Sequence, residues 1–437
     1  MKIIVAGAGI GGVYVAGLLS KAGHEVVLYE KSAGIEFLRH DQGDDVDIKA
    51  FIDNGIEIPQ GAYPKKNWTF VGSGENKLRL VQKYEYIDYT IDRKKLNEIL
   101  FSMIGDTKVI FNATVTKAVT EDNRVIGAEV NLLNKGKIRV FCDLLIDASG
   151  VYSSVRKSLK DLSIPQVNKD ETFCAYRAYY DLKEVDVKVK ETNKVYMKHM
   201  GKDGISWCLY NKKEKHADVL IGRVGELTNE DVRESLADIR NINPFVGEKV
   251  IRGGHVAVIP VRRPLSKCVL DGYVAIGDSA CMTVPMIGSG IATSIISAKI
   301  LFDVLENKKD ASIENLWQYQ VAVFQAFGFQ HCGVEVIKSW MLKQKLYTVD
   351  WFLTSGILKN KDMQEISIGK MPNFTLKDYM QKLYVGLDHP TILFSMCRAM
   401  MRANSAIARA KKIPKVYSEK KVNKWQKKLD GFYAYIK

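Results

Sequence analysis

The chain opens on a strand, a glycine-rich turn, a helix and a second strand in immediate succession, and few folds accept that order. Lys2–Ala6 is a short apolar run of the kind that forms a central parallel strand. Gly7-Ala8-Gly9-Ile10-Gly11-Gly12 follows at once. Val13, Ala16 and Leu19 then recur at helical spacing, and His24–Glu30 (HEVVLYE) is a second strand. The unit has the length of about 30 residues that a nucleotide-binding strand–helix–strand needs. Gly7 makes the tight turn, Gly9 lets the backbone approach a pyrophosphate, and Gly12 lets the helix lie close to the strand. The helix N-terminus points free N–H groups and positive dipole at the phosphates. Glu30 closes the second strand, where a carboxylate accepts from ribose hydroxyls. The alternative is a glycine turn in another α/β protein, and the motif alone does not choose FAD over NAD.

At 437 residues the chain exceeds one simple core and suits about two or three domains. Its seven cysteines form no CxxC pair and no spacing suited to zinc or an iron–sulfur cluster, so the thiols read as reduced and the compartment as cytosolic. The N-terminus lacks the long apolar core of a signal peptide. The apolar stretch Val274–Ala298 is broken by Asp278, Pro285 and glycines, which argues against a membrane span. Of the net charge of +14, the segment Arg398–Lys437 holds +10, from twelve Lys and Arg against two acids. The basic character belongs to the tail.

Distant segments choose the flavin. Asp143–Arg156 (DLLIDASGVYSSVR) runs a strand into Asp147-Ala148-Ser149-Gly150, followed by Ser153, Ser154 and Arg156. In Gly272–Ile291 (GYVAIGDSACMTVPMIGSGI) a strand ends in Gly277-Asp278. A loop through Pro285 then reaches Gly288-Ser289-Gly290, and a helix begins near Ile291. The ribityl chain of FAD presents hydroxyls that a strand-end carboxylate such as Asp278 accepts. The reduced ring carries negative charge, and a helix start opened by Gly288 and Gly290 offers N–H groups to it. The alternative is a pair of unrelated glycine-rich loops.

With these motifs in this order, the chain resembles the superfamily of p-hydroxybenzoate hydroxylase-type flavoproteins and geranylgeranyl reductases, and further segments look like the reductase branch. Tyr89-Thr90-Ile91-Asp92-Arg93 with Leu96 and Leu100 is similar to the family's arginine-bearing helix start, which implies that Arg93 lies near FAD; otherwise it is a surface arginine. Asn112-Ala113-Thr114-Val115 resembles the strand whose backbone meets the adenine, with Val115 as the contact. Arg39-His40-Asp41-Gln42-Gly43 stands where archaeal members have Arg-Cys-Gly-Glu-Gly, which implies a loop against the flavin. His40 replaces the cysteine, so that cysteine's role does not carry over.

Between the flavin segments, Thr172–Leu182, Lys194–Met200, Ile205–Tyr210 and Ala217–Val224 are rich in Val, Tyr and Ile and read as strands. Gly204–Tyr210 followed by Ala217–Gly222 resembles the reductase signature aromatic-x-Trp-x-Phe-Pro and Gly-x-Gly. Trp207 and Gly222 match it, while Leu209 and Tyr210 replace Phe-Pro. An indole on such a sheet can wall a slot for an alkene, or be a core tryptophan. Trp207, Leu209 and Pro260 are the expected substrate contacts, and Arg262 and Arg263 either meet an acidic head group or are solvated. Ile313–Met341 and Thr391–Ala410 read as helices. The basic tail with Trp425 is either an interfacial segment on anionic lipid or a helix laid on the flavin domain. No nucleic-acid module accompanies the charge.

The expected fold is α/β: a split Rossmann-type FAD-binding domain (1–163 and 253–310), an inserted antiparallel β-sheet substrate domain (164–252), and a helical, basic C-terminal region (311–437). The resemblance implies hydride transfer from reduced flavin N5 to C=C bonds of a geranylgeranyl-type lipid, with NAD(P)H or a reduced redox protein as electron donor. A flavin monooxygenase or halogenase acting on an aromatic substrate shares the cofactor motifs, and a membrane-surface protein with structural FAD is the third reading. For the proton donor, His40 and Tyr210 are candidates only.

Overall fold

The computed structural model describes residues 1–38, 42–65, 67–74, 76–81, 88–185 and 189–433. Its organising element is a six-stranded sheet ordered Val269–Leu270, Tyr273–Ala275, Leu144–Asp147, Lys2–Ala6, Glu25–Tyr29, Lys108–Ile110. The last five run parallel. Both faces of such a sheet are covered, which is why Ile3, Ile4, Val5, Leu144, Leu145 and Ile146 form apolar runs without alternation. The helices Ile10–Lys21 and Ile291–Asn307 pack together against it. The stretch Val274–Ala298 is thus a buried strand, a loop and the start of a helix, as its interruptions required.

A second sheet of seven strands carries the other half of the cavity, in the order Val246–Pro260, Thr172–Leu182, His216–Val224, Ile205–Asn211, Asn193–Met197, Trp68–Val71, Lys77–Leu80. The junctions among its first five strands are antiparallel. Trp68–Val71 joins Asn193–Met197 in parallel, which the sequence did not signal. Thr228 caps the helix Asn229–Ile242 on one side of the sheet, with Asp231 completing a capping box.

The sheet's outer edge is held from the far end of the chain. The Asn360 side chain accepts from the Val81 N–H at 3.0 Å and donates to its carbonyl at 2.6 Å. Asp350 accepts from the Ser73 N–H at 2.7 Å.

Ile313–Leu342 is helical throughout, with one wider turn at Phe324–Gly328. The basic tail forms the helix Glu419–Asp430, whose Val422, Trp425 and Leu429 are buried. The Trp425 ring meets Phe324 edge-on at 5.2 Å, and its N–H donates to the Arg409 carbonyl. The apolar face expected of an interfacial tail is therefore spent on the protein, and the lysines face solvent. Among the described residues, no helix is long and apolar enough to cross a membrane.

Candidate active site

The glycine turn takes its shape from close contacts. Gly7 sits at φ +99°, and a Cβ on Gly12 would lie 2.3 Å from the Gly7 carbonyl oxygen and 3.0 Å from Ala148 Cβ. The helix starting at Ile10 has no side-chain cap and no acid in its first turn, so its N–H groups face the cavity unclaimed by side chains. Glu30 is buried; one oxygen accepts from the Ala8 N–H at 2.8 Å and the other from Ser32.

Asp147 links this turn to the distant motifs. Fully buried, it accepts from Ser149, Ser153 and Tyr273, which shapes the loop through Gly150. Its backbone carbonyl accepts from Ser279 Oγ at 2.5 Å. Arg156, also buried, donates to the carbonyls of Ser279 and Val151 and so ties the 147–154 loop to the 277–280 turn. Three separated segments thus converge on a cavity of about 1130 Å³.

At the cavity's other wall the helix starting at Ile291 is likewise uncapped by any side chain. A Cβ on Gly290 would lie 3.0 Å from Thr283 Cγ2 and 3.3 Å from Asp278 Oδ1. Asp278 is half-buried there; burial pushes its carboxyl up to about 6, and Arg93 opposes the shift. The Arg93 guanidinium donates to Asp44 at 3.0 Å, but its Nε is buried without a partner. Two uncapped helix starts, a half-buried carboxylate and an orphaned arginine nitrogen suit a long anionic cofactor bearing hydroxyls.

Beyond this cradle the seven-stranded sheet contributes a charged cluster. Arg177 donates to Asp218 at 2.6 and 2.9 Å, to Asp44 at 3.1 Å and to the Gly43 carbonyl at 2.7 Å. Burial alone would lower its pKa; Asp218 outweighs that and raises it well above the usual value. The Trp207 ring centre lies 5.0 Å from the guanidinium carbon, with its N–H toward Asp218 at 3.4 Å. Tyr179 stacks on His216 at 4.5 Å and accepts from the Gly43 N–H. Burial and Asp218 raise its phenol, so it keeps its proton.

Gly7, Gly9, Ile10, Gly11, Gly12, Glu30, Gly43, Arg93, Val115 and Gly150 all line the one cavity. Asp278, Pro285, Gly288, Gly290, Ile291, Trp207, Leu209 and Tyr210 line it too. Arg39, His40 and Asp41 lie outside the described residues. Pro260 is buried beside the cavity rather than on its wall; its neighbours Ile259 and Val261 face inward, and its carbonyl accepts from Thr283 Oγ1. Arg262 and Arg263 lie neither on the cavity wall nor in solvent. Both are buried, Arg262 on Glu171 at 3.0 Å and Arg263 on Glu335 at 3.0 Å and Asp430 at 2.6 Å. The sequence reading expected C-terminal helices but gave them no part in the site; they and the turns between them close the apolar end with Leu358, Met363, Phe374, Met396 and Met400.

The fold and site define a flavin-dependent oxidoreductase in which a dinucleotide cradle opens onto an apolar chamber. Residues 1–320 match the FAD binding domain family, and the chain belongs to it. Over 447 aligned positions it is 22% identical to the digeranylgeranylglycerophospholipid reductase of Sulfolobus acidocaldarius, covering 98% of this chain and 96% of that protein. A geranylgeranyl bacteriochlorophyll reductase-like protein from Thermoplasma acidophilum has the same fold, with a TM-score of 0.72 at 18% identity over 91% of this chain and 98% of that one. A myxobacterial chondrochloren halogenase shares it less closely, with a TM-score of 0.58 at 14% identity over 92% and 96% of the two chains.

Proposed function

We propose that this chain saturates C=C bonds of an isoprenoid lipid. The observation that carries the reading is the cavity's continuity. It leads from the Gly7–Gly12 turn past Asp278 and Trp207 to a chamber walled by Leu358, Met363, Phe374 and Met400. Its size exceeds the range of roughly 300–1,000 Å³ usual for a single drug-sized ligand, which suits a cofactor and a long chain together. The reductase names of the relatives that span the chain agree with this.

Bound and reduced, FAD supplies the hydride. The chain's own residues bind and orient. The Ile10 helix start, Gly9 and Glu30 would hold the diphosphate and ribose, with Val115 at the adenine. Arg93, Asp278 and the helix start at Gly288–Ile291 would hold the ribityl chain and offer N–H groups where negative charge gathers. Trp207, fixed by Arg177 and Asp218, would press the alkene into register, and the apolar chamber would exclude water. Seven free cysteines support a cytosolic setting.

The test is to reduce the purified protein without oxygen and supply polyprenyl lipids. Product heavier by a hydrogen pair for each double bond supports the proposal. Turnover that demands oxygen and inserts an oxygen atom overturns it in favour of a monooxygenase.

A further inference from the structure

The helix Leu376–Gly386 is amphipathic in the reverse sense. Leu376, Tyr379, Met380, Leu383, Tyr384 and Leu387 recur in steps of three and four, and each is 49–78% exposed. Two of its charged side chains turn inward. Lys382 is buried on Asp362 and the Ile357 carbonyl, and Asp378 pairs with Lys359 at 2.6 Å. Water-facing helices present their charges outward, so a stripe of this size is an interaction surface. The neighbouring helix Pro390–Ala410 adds Phe394 and Met401, 65% and 61% exposed.

We infer that this face, and not the basic tail, seats the protein on an anionic lipid bilayer, and that the cavity exchanges its substrate there. The inference rests on the lipid-substrate reading above. Three observations favour a bilayer over a second copy of the chain. The exposed ionic residues set into the face are cationic, Lys377 and Arg398, with Asp388 beyond the stripe's end. Tyr379 and Tyr384 have the apolar body and polar tip that suit the headgroup level. The same two helices also wall the cavity from behind, through Lys382, Met396 and Met400. An isoprenoid leaving the bilayer at this face would have one helix thickness to cross, rather than open water.

The experiment is flotation of the FAD-loaded full chain with vesicles of phosphatidylglycerol and phosphatidylcholine in equal parts. The comparison variant carries Leu383→Glu and Tyr384→Glu. Wild type floats. The variant loses vesicle affinity by at least about tenfold, while retaining its flavin and its melting temperature. Leu133→Glu, on an exposed hairpin turn, binds as wild type does. The inference is overturned if wild type stays at the bottom of the gradient, or if the double variant floats equally well. It is also overturned if light scattering finds a dimer that the double variant splits while vesicle binding is absent. Reduction of polyprenyl lipid in detergent micelles, where no bilayer is needed, proceeds equally in wild type and double variant. Failure of that assay with vesicle binding intact removes the substrate assignment and leaves the docking surface standing.

Discussion

Two glycines three residues apart should fail in different ways when given a methyl group. At Gly12 the added Cβ would stand 2.3 Å from a backbone oxygen, roughly 1 Å inside ordinary contact, and neither Gly7 nor Ala148 can yield without moving the strand or the loop. Gly12→Ala should therefore cost about 1–3 kcal/mol of stability and also displace the N–H groups that meet the diphosphate. At Gly9 the nearest atom to a new Cβ is the Ala148 carbonyl oxygen, 3.8 Å away, and the backbone at φ −68°, ψ 169° suits any residue. Gly9→Ala should leave the apo-protein's melting point almost unchanged. Its methyl would point into the space the diphosphate needs. The loss of one or two charge-assisted bonds, each about 1.5–3 kcal/mol, should weaken FAD roughly tenfold or more. The assays are thermal melting of the flavin-free protein and titration of FAD by fluorescence quenching. Wild-type FAD affinity in Gly9→Ala would show that the diphosphate passes elsewhere. A Gly12→Ala protein as stable as wild type would refute the packing argument.

Other expectations follow from the titratable groups. The Asp278 carboxyl titrates at about 6 in the fold against 3.8 for the free group, so the flavin-free fold loses stability as pH rises through that interval. FAD hydroxyls need the carboxylate, so FAD affinity should climb with pH through the same interval and then level off; titrations on Asp278→Asn should be flat in both respects. Burial lowers His331 to about 3 from 6.5, so its contribution is fully present above 6.5 and is lost as pH falls toward 3; melting curves of His331→Gln should fall less steeply with acid. Removing Arg263 as Arg263→Met leaves Glu335 buried without its main partner and should cost about 3–5 kcal/mol by denaturant unfolding. A change below 1 kcal/mol, roughly the value of a surface pair, would contradict the burial argument.

The nucleotide cradle was legible because its causes are local. A strand, a glycine that must take positive φ and a helix start are neighbours in sequence, and Glu30 follows at a fixed distance. Asp278 and Gly290 were legible for the same reason. The arginines were not. Arg262 and Arg263 stand side by side like a solvated pair, yet Glu171 and Glu335 neutralise them from 91 and 72 residues away. The Arg177–Asp218–Asp44 cluster needs the register between Thr172–Leu182 and His216–Val224, together with the strand Gly43–Asp47 of a separate three-stranded sheet, and no short window contains that. The tail stayed open between its two readings for a related reason. Trp425 and its apolar companions repeat at helical spacing whether they face lipid or protein, and only packing distinguishes the two.

The clasp of Asn360 and Asp350 on the edge of the large sheet limits how this chain can be shortened. Cutting the chain ahead of Leu346 would not release a trimmed flavoprotein. It would strip the hem from a β-sheet, expose the Lys77–Leu80 backbone as a template for pairing with other chains, and breach the chamber at the same stroke. The last fifth of the chain is thus both the lid of the vessel and the stitch that keeps its side from fraying.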